Sequence, residues 1–166
     1  MEPDPAGDRS AEDLLAELAT ALVDGVVAAL PDWVARCVEA RSPGGAEVLP
    51  ERVAEAGRHA ADEVGERLRT LLAADVDEQW TGPLALLRDA ARYPTVLLAA
   101  AGVAPVNRDA DAERMFPDDP YDLTPASFAD VHPDLLGPGV AWGAGKAYVH
   151  RRRHLGEDRW CAPGAG

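Results

Sequence analysis

An apolar series with a four-residue repeat near the start of the chain constrains the fold more than any other feature of the sequence. A repeat close to 3.6 residues places apolar side chains on one face of an α-helix. Ser10, followed by Asp13, forms a capping pattern just ahead of the series. We therefore predict a helix over residues 11–30. Pro31 then predicts the start of a second, short helix, because proline is tolerated in a first turn. The repeating residues are Leu14, Leu18, Leu22, Val26 and Leu30.

The rest of the chain predicts further helices and no sheet. Pro50 begins a long amphipathic helix that should run to about Ala74, and shorter apolar helices are expected over residues 83–92, 95–101 and 139–155. The 166 residues include 32 Ala and 18 Leu and no Ile, which favours helix over strand. The expected fold is all-α: a single-domain helical bundle of about five main helices.

Residues 103–138 differ from the rest in composition. They contain six Pro, eight acidic and two basic residues. We predict an ordered excursion that wraps the bundle and includes two short helical turns, one of them begun by Thr124 and Pro125. Residues 1–9 are expected to be a disordered N-terminus, 10–155 the helical domain and 156–166 a flexible C-terminal tail. Side chains available for burial in the excursion are Met115, Phe116, Tyr121, Leu123 and Phe128.

The charge and the cysteines narrow the classes of function. A formal net charge of −13 argues against general nucleic-acid binding, because phosphates would be repelled. The N-terminal residues do not resemble a signal peptide, and no apolar run approaches the ~18 residues of a membrane span. Cys37 and Cys161 form no paired motif. These features predict a cytoplasmic protein.

A basic segment on the last predicted helix stands out against this acidic background. Residues 1–134 carry a net charge of −16 and residues 135–166 a net charge of +3. Cations at the C-terminal end of a helix offset its macrodipole, which is one explanation. The other is docking to an acidic surface of a partner protein, with Trp142 at the contact because tryptophan is over-represented at interfaces. The predicted partner-binding residues are Lys146, Arg151, Arg152, Arg153 and Trp142.

Histidines suggest a different possibility. His150 and His154 lie four residues apart on one helix face, a spacing that suits a metal ion, and His59 on an earlier helix is a possible third ligand. This arrangement is similar to that of the DinB-like bundle family, and the resemblance implies a metal-dependent hydrolase or thiol transferase. Arginines between the two histidines disfavour a divalent cation. We keep this enzyme as the alternative, with no metal or other cofactor in the preferred interpretation.

The sequence does not match the other binding and catalytic motifs that parts of it resemble. Gly143–Lys146 lacks the Gly and the Ser or Thr of a phosphate-binding loop, and residues 109–120 lack the Gly and final Glu of a calcium loop. Cys37 lies on an apolar helix face beside Trp33, which predicts a packed thiol. No serine lies in a nucleophile motif. The sequence thus offers no convincing catalytic nucleophile.

Five segments carry a resemblance to a known family: YPTVLL at 93–98, PVNRD at 105–109, FPDD at 116–119, LTPASFAD at 123–130 and GVAWGAGK at 139–146. Here the chain resembles a small actinobacteria-restricted, ParJ-like family whose members mostly have no assigned activity. The resemblance implies a non-enzymatic protein that binds a ParA-type chromosome-partition ATPase and limits its assembly. A homodimer built on the small residues of the last helix is compatible with either function.

Overall fold

The computed structural model describes residues 10–42, 48–74 and 82–161, with side chains for all of these except 153 and 155–161. Within these ranges the chain forms helices and loops and no strand, so the all-α prediction is confirmed. The predicted disorder of residues 1–9 and the end of the predicted tail, 162–166, lie outside the described residues. The helices are α1 (Ala11–Arg41), α2 (Pro50–Ala73), α3 (Gly82–Arg88), α4 (Arg92–Ala100), α5 (Ala110–Met115), α6 (Phe128–Val131) and α7 (Leu136–Cys161), with 3₁₀ turns at Asp89–Ala91 and Pro133–Leu135.

Helix α1 is the centre of the bundle and is longer than predicted. The Ser10 side chain accepts a hydrogen bond from the backbone N–H of Asp13 (3.1 Å), as the capping pattern indicates. The expected break at Pro31 does not occur, because Pro31 lies inside a continuous helix. Proline inside a helix costs about 3 kcal/mol. The buried stripe continues beyond it through Trp33, Val34 and Val38, and burying those side chains offsets the cost.

Helices α2 and α7 both pack antiparallel on α1, towards opposite ends of it. Gly57 of α2 lies against Pro31, and a Cβ at residue 57 would be 2.8 Å from the proline Cα. Gly145 of α7 lies against Leu18, whose Cδ1 would be 3.1 Å from a Cβ at residue 145. Glycine therefore sets the close approach on both sides of α1. The main core includes Leu22, Val26, Leu30, Ala60, Val64, Leu68, Leu87 and Val131.

The inward face of α7 differs from the one that the sequence favours. The helical spacing of Val140, Tyr148 and Arg151 puts them on one face and predicts that this face is inward, with Trp142 off it. In the structure Trp142 and Val149 are buried, whereas Val140 and Tyr148 are exposed. Apolar residues on α7 occupy both sides of the helix, so periodicity alone cannot choose between the two faces. The helix also continues to Cys161, beyond the predicted end at Leu155.

The segment between α4 and α7 contains α5 and α6, and hydrogen bonds link distant parts of the segment to each other. The Tyr121 hydroxyl donates to the carbonyl of Val103 (2.7 Å), and the ring is buried in a small cluster with Val38 and Leu98. Helix α6 begins after Ser127, which forms a capping box with Asp130, rather than after the predicted Thr124 and Pro125. Met115 was expected to be buried and is 65% exposed.

Helix α1 is also long and apolar enough to span a membrane, contrary to the expectation from the sequence. Its mean hydropathy over an 18-residue window is 1.7. Core helices of water-soluble proteins can have the same length and hydropathy. In this fold α1 packs against both α2 and α7.

Candidate functional site

The structure does not bring together the three histidines of the possible metal site. His150 and His154 are neighbours, with ring centroids 4.2 Å apart. His150 follows Val149, which lies beside Ala11 at the start of α1. His59 follows Gly57, which contacts Pro31, twenty residues further along α1. At 1.5 Å per residue the two sites are separated by about 30 Å along the helix.

Among the described residues, the cleft beside His59 supplies one carboxylate, Glu55, and no second histidine or cysteine. His59 is exposed on α2, at the edge of this cleft of about 420 Å³ shared with Arg52, Glu55, Arg92 and Tyr93. Two arginines beside the imidazole disfavour a divalent cation. Across the part of the chain that the structure describes, no group of three or more His, Cys, Asp or Glu side chains is arranged to hold a metal ion.

The predicted partner-binding cations lie in two different settings. Arg151 and Arg152 are exposed, whereas Lys146 is half-buried and makes a polar contact. Arg152 lies beside Glu12 in the first turn of α1, at the edge of a small cleft. The side chain of Arg153 lies outside the described residues. The cations lie several residues before the end of α7 at Cys161, and dipole effects fall off within the last turn, so the macrodipole is a weaker explanation for them.

Trp142 does not take the role that the sequence suggests for it. The ring is only 7% exposed and belongs to the buried face of α7. Its burial explains how α7 is anchored to the bundle and leaves little of the ring for a partner to contact. Of the predicted partner-binding residues whose side chains the structure describes, Arg151 and Arg152 present the most accessible charge.

The opposite side of α7 is an apolar surface that the structure leaves open to solvent. Leu136, Val140 and Tyr148 are 57%, 65% and 54% exposed, and Arg151 lies on the same side. No atom lies within 4 Å of where a Cβ at Gly143 would be, so this side has open space along its middle. We call this surface the α7 outer face: Leu136, Val140, Gly143, Ala144, Ala147, Tyr148 and Arg151.

The rejected motifs have structural roles. Gly143–Lys146 lies within α7, so it forms no loop that could surround a phosphate. Asp109 caps α5 by accepting a hydrogen bond from the backbone N–H of Ala112 (2.8 Å). Cys37 packs against the main core, and burial raises the pKa of its thiol to about 11. A thiol with so high a pKa is a poor nucleophile at neutral pH.

Sequence reasoning missed an ion-pair network between α2 and α4. The carboxylate of Glu63 accepts hydrogen bonds from Arg92 and from the Tyr93 hydroxyl. The Arg92 guanidinium, and then the Tyr93 hydroxyl, hold the pKa of Glu63 below its usual value. Arg67 joins the network through Glu63 (3.9 Å) and extends it to Asp89 (3.4 Å). Only the Glu63–Arg67 spacing within α2 was visible in the sequence, since the other partners are distant along the chain.

Comparisons with known proteins return nothing that bears on function. No family model, no curated protein and no solved structure matches this chain.

Proposed function

We propose that the protein is a non-enzymatic interaction protein that binds an acidic surface of a partner through the α7 outer face. The observation that carries the proposal is the exposure of Leu136, Val140 and Tyr148 beside Arg151. Apolar side chains exposed together mark interaction surfaces more often than scattered ones do. A cation beside them selects an acidic partner and raises its rate of association.

The chemistry of the remaining side chains supports binding rather than catalysis. The Cys37 thiol has a raised pKa, and the Glu63 carboxylate is held by Arg92 and Tyr93 in a stabilising network. His59 and His150 are separated by about 30 Å along α1. No specific observation favours the metal-dependent enzyme. Zinc or nickel bound stoichiometrically by protein purified without a histidine tag, and lost in His150→Ala, would reverse this choice.

A ParA-type chromosome-partition ATPase is the first partner to test. The resemblance of residues 93–98 and 139–146 to the actinobacterial family supports this choice, and the second segment includes part of the α7 outer face. We propose a cytoplasmic location, in which α1 serves as the core helix of a water-soluble bundle.

Co-sedimentation with a ParA-type ATPase tests the partner. The ATPase is pelleted in the presence of nucleotide, with and without this protein, and the amount of pelleted ATPase is measured. We expect the wild type to reduce pelleting, and Arg151→Glu or Tyr148→Ser to lose that effect. Arg114→Glu is the matched control, because Arg114 is 77% exposed on α5, away from the α7 outer face. No binding and no change in pelleted ATPase with the wild type would remove this partner assignment.

Self-association through the same face is an outcome that a second measurement resolves. Light scattering gives the mass of the protein across a range of concentrations, for the wild type and for Val140→Asp. A dimer that Val140→Asp converts to a monomer would show that the α7 outer face joins two copies. A monomeric wild type leaves the face open for a different partner.

A further inference from the structure

Arg88, which forms no ion pair with a carboxylate among the described residues, lines a cleft on a different side of the molecule from the α7 outer face. The cleft lies between α2, the α3–α4 region and the loop after α5, and it has a volume of about 440 Å³. We propose that this cleft binds a small organic anion, a phosphate or carboxylate group on a flat apolar body, with Arg88 as the main contact to the anion. Volumes of this size are typical of small-molecule sites.

The state of Arg88 is the first observation behind the proposal. Its Nε is buried and has no hydrogen-bond partner, and within the described residues no carboxylate forms an ion pair with its guanidinium. A ligand in the cleft cannot reach that buried nitrogen, but Arg88 also lines the cleft. A planar guanidinium fits phosphate and carboxylate groups with two parallel hydrogen bonds.

Phe116 fixes the orientation of this arginine. The guanidinium carbon of Arg88 lies 5.6 Å from the centroid of the Phe116 ring, within the range of a cation–π contact. Phe116 is itself held in place, because its carbonyl accepts a hydrogen bond from Arg108 (2.7 Å) and its backbone N–H donates to the carbonyl of Ala112 (2.9 Å). The cation is therefore oriented before any ligand arrives, which lowers the entropy cost of binding.

Asp119 holds the part of the cleft wall that follows Phe116 in place. The buried carboxylate of Asp119 accepts hydrogen bonds from the backbone N–H groups of Leu123 and Thr124, at 2.8 to 2.9 Å, and from the Thr124 hydroxyl at 2.6 Å. Its lone pairs are thus used within the loop. Asp119 lines the cleft, and its carboxylate is already hydrogen-bonded to groups other than Arg88.

The two other arginines around the cleft each form an ion pair. Arg67 pairs with Asp89, and Arg92 pairs with Glu63. Both arginines line the cleft, as do the carboxylates of Asp89, Asp118 and Asp119, so Arg88 is the cation there that lacks a carboxylate partner among the described residues. The exposed side chain of Met115 and the ring of Phe116 offer apolar surface beside these cations. A flat apolar group that carries one anionic substituent matches both features.

Titration of the intact protein with phenyl phosphate tests the proposal. Binding is monitored through the amide chemical shifts in NMR spectra. We expect saturable shifts around Arg88 and Phe116, with a Kd of about 1 mM or tighter. Benzoate tests the carboxylate, inorganic phosphate tests the anion alone, and benzyl alcohol tests the ring alone. Shifts with phenyl phosphate and not benzoate identify a phosphate site, and the reverse identifies a carboxylate site.

Substitutions separate a built site from general attraction to positive charge. Arg88→Gln should weaken phenyl phosphate binding at least tenfold, and Arg88→Lys should restore only part of it, because lysine lacks the planar fork. Phe116→Leu should weaken binding several-fold, and Arg114→Gln should leave it unchanged. Equal binding by Arg88→Gln and the wild type would overturn the proposal, as would the absence of saturable shifts with both phenyl phosphate and benzoate. Neither result bears on the α7 outer face, which is tested separately.

Discussion

Pro31 of α1 lies so close to Gly57 of α2 that a Cβ at residue 57 would be 2.8 Å from the proline Cα. The obstacle is backbone, so a rotamer change cannot relieve it. The contact explains why glycine is present in the middle of α2, where it otherwise weakens a helix. It also sets the separation of α1 and α2 next to the core formed by Leu30 and Ala60.

Gly57→Ala should therefore destabilise the protein by about 1–2 kcal/mol. Overpacking costs about 1–3 kcal/mol, and the higher helix propensity of alanine returns part of that. Urea unfolding followed by circular dichroism measures the change. Gly143→Ala is the matched control, since Gly143 lies inside α7 with open space around it. It should stabilise the protein by about 0.5–1 kcal/mol. Equal effects at the two positions would contradict the packing argument.

Sequence periodicity predicted the helices whose apolar residues form a single stripe. The beginnings of α1 and α2 were found because Ser10 caps the first and Pro50 begins the second. Pro31 led to a false break, because a local rule disfavours proline inside a helix while the burial of Trp33 and Val34 favours continuation. Tertiary packing decides such cases, and a local pattern does not contain it.

The functional surfaces were harder to predict because they depend on contacts between distant residues. On α7, Val140 and Trp142 are both apolar and lie on different faces, and only packing on α1 shows which one is buried. The pairing of Glu63 with Arg92, and the stacking of Arg88 on Phe116, join residues 28 or more positions apart. No spacing rule in the sequence indicates such pairs.

The buried carboxylate of Asp119 should be important for stability. Asp119→Ala leaves the backbone N–H groups of Leu123 and Thr124 without their acceptor, and we expect a loss of about 3 kcal/mol in the free energy of unfolding. Asp118→Ala, at the exposed neighbouring position, should change it by less than about 0.5 kcal/mol. Urea unfolding measures both variants. A loss below about 1 kcal/mol for Asp119→Ala would show that water replaces the missing acceptor.

The network around Glu63 should make stability depend on pH in the acid range. Arg92 and Tyr93 lower the pKa of Glu63 in the folded state, so its stabilising contribution is present above the unfolded value of 4.5. It is lost as the pH falls below that value and through the folded pKa. Because the side chain is 44% exposed, we expect at most about 1 kcal/mol.

Urea midpoints of the wild type and Glu63→Gln at pH 7 and near pH 3 measure this contribution. The wild type should be the more stable protein at pH 7, and the difference should shrink in acid. Glu66→Gln, an exposed position on the same helix, should show no such trend. A difference that stays constant across this range would mean that the ionised carboxylate is not what stabilises the contact.

Cys37 should react slowly with thiol reagents while the protein is folded. Burial raises the pKa of its thiol from 9.0 to about 11, so almost none of it is thiolate at pH 8. In a Cys161→Ala background, which removes the second thiol, reaction with a chromogenic disulfide reagent should be slow at pH 8 and accelerate as the pH approaches 11. Urea-unfolded protein should react at the rate of a free cysteine. The same shift has a consequence for stability: the unfolded state ionises first, so stability should fall as the pH rises from about 9 to 11. A folded-state rate profile centred near pH 9 would show that the thiol is accessible and would make Cys37 a candidate nucleophile.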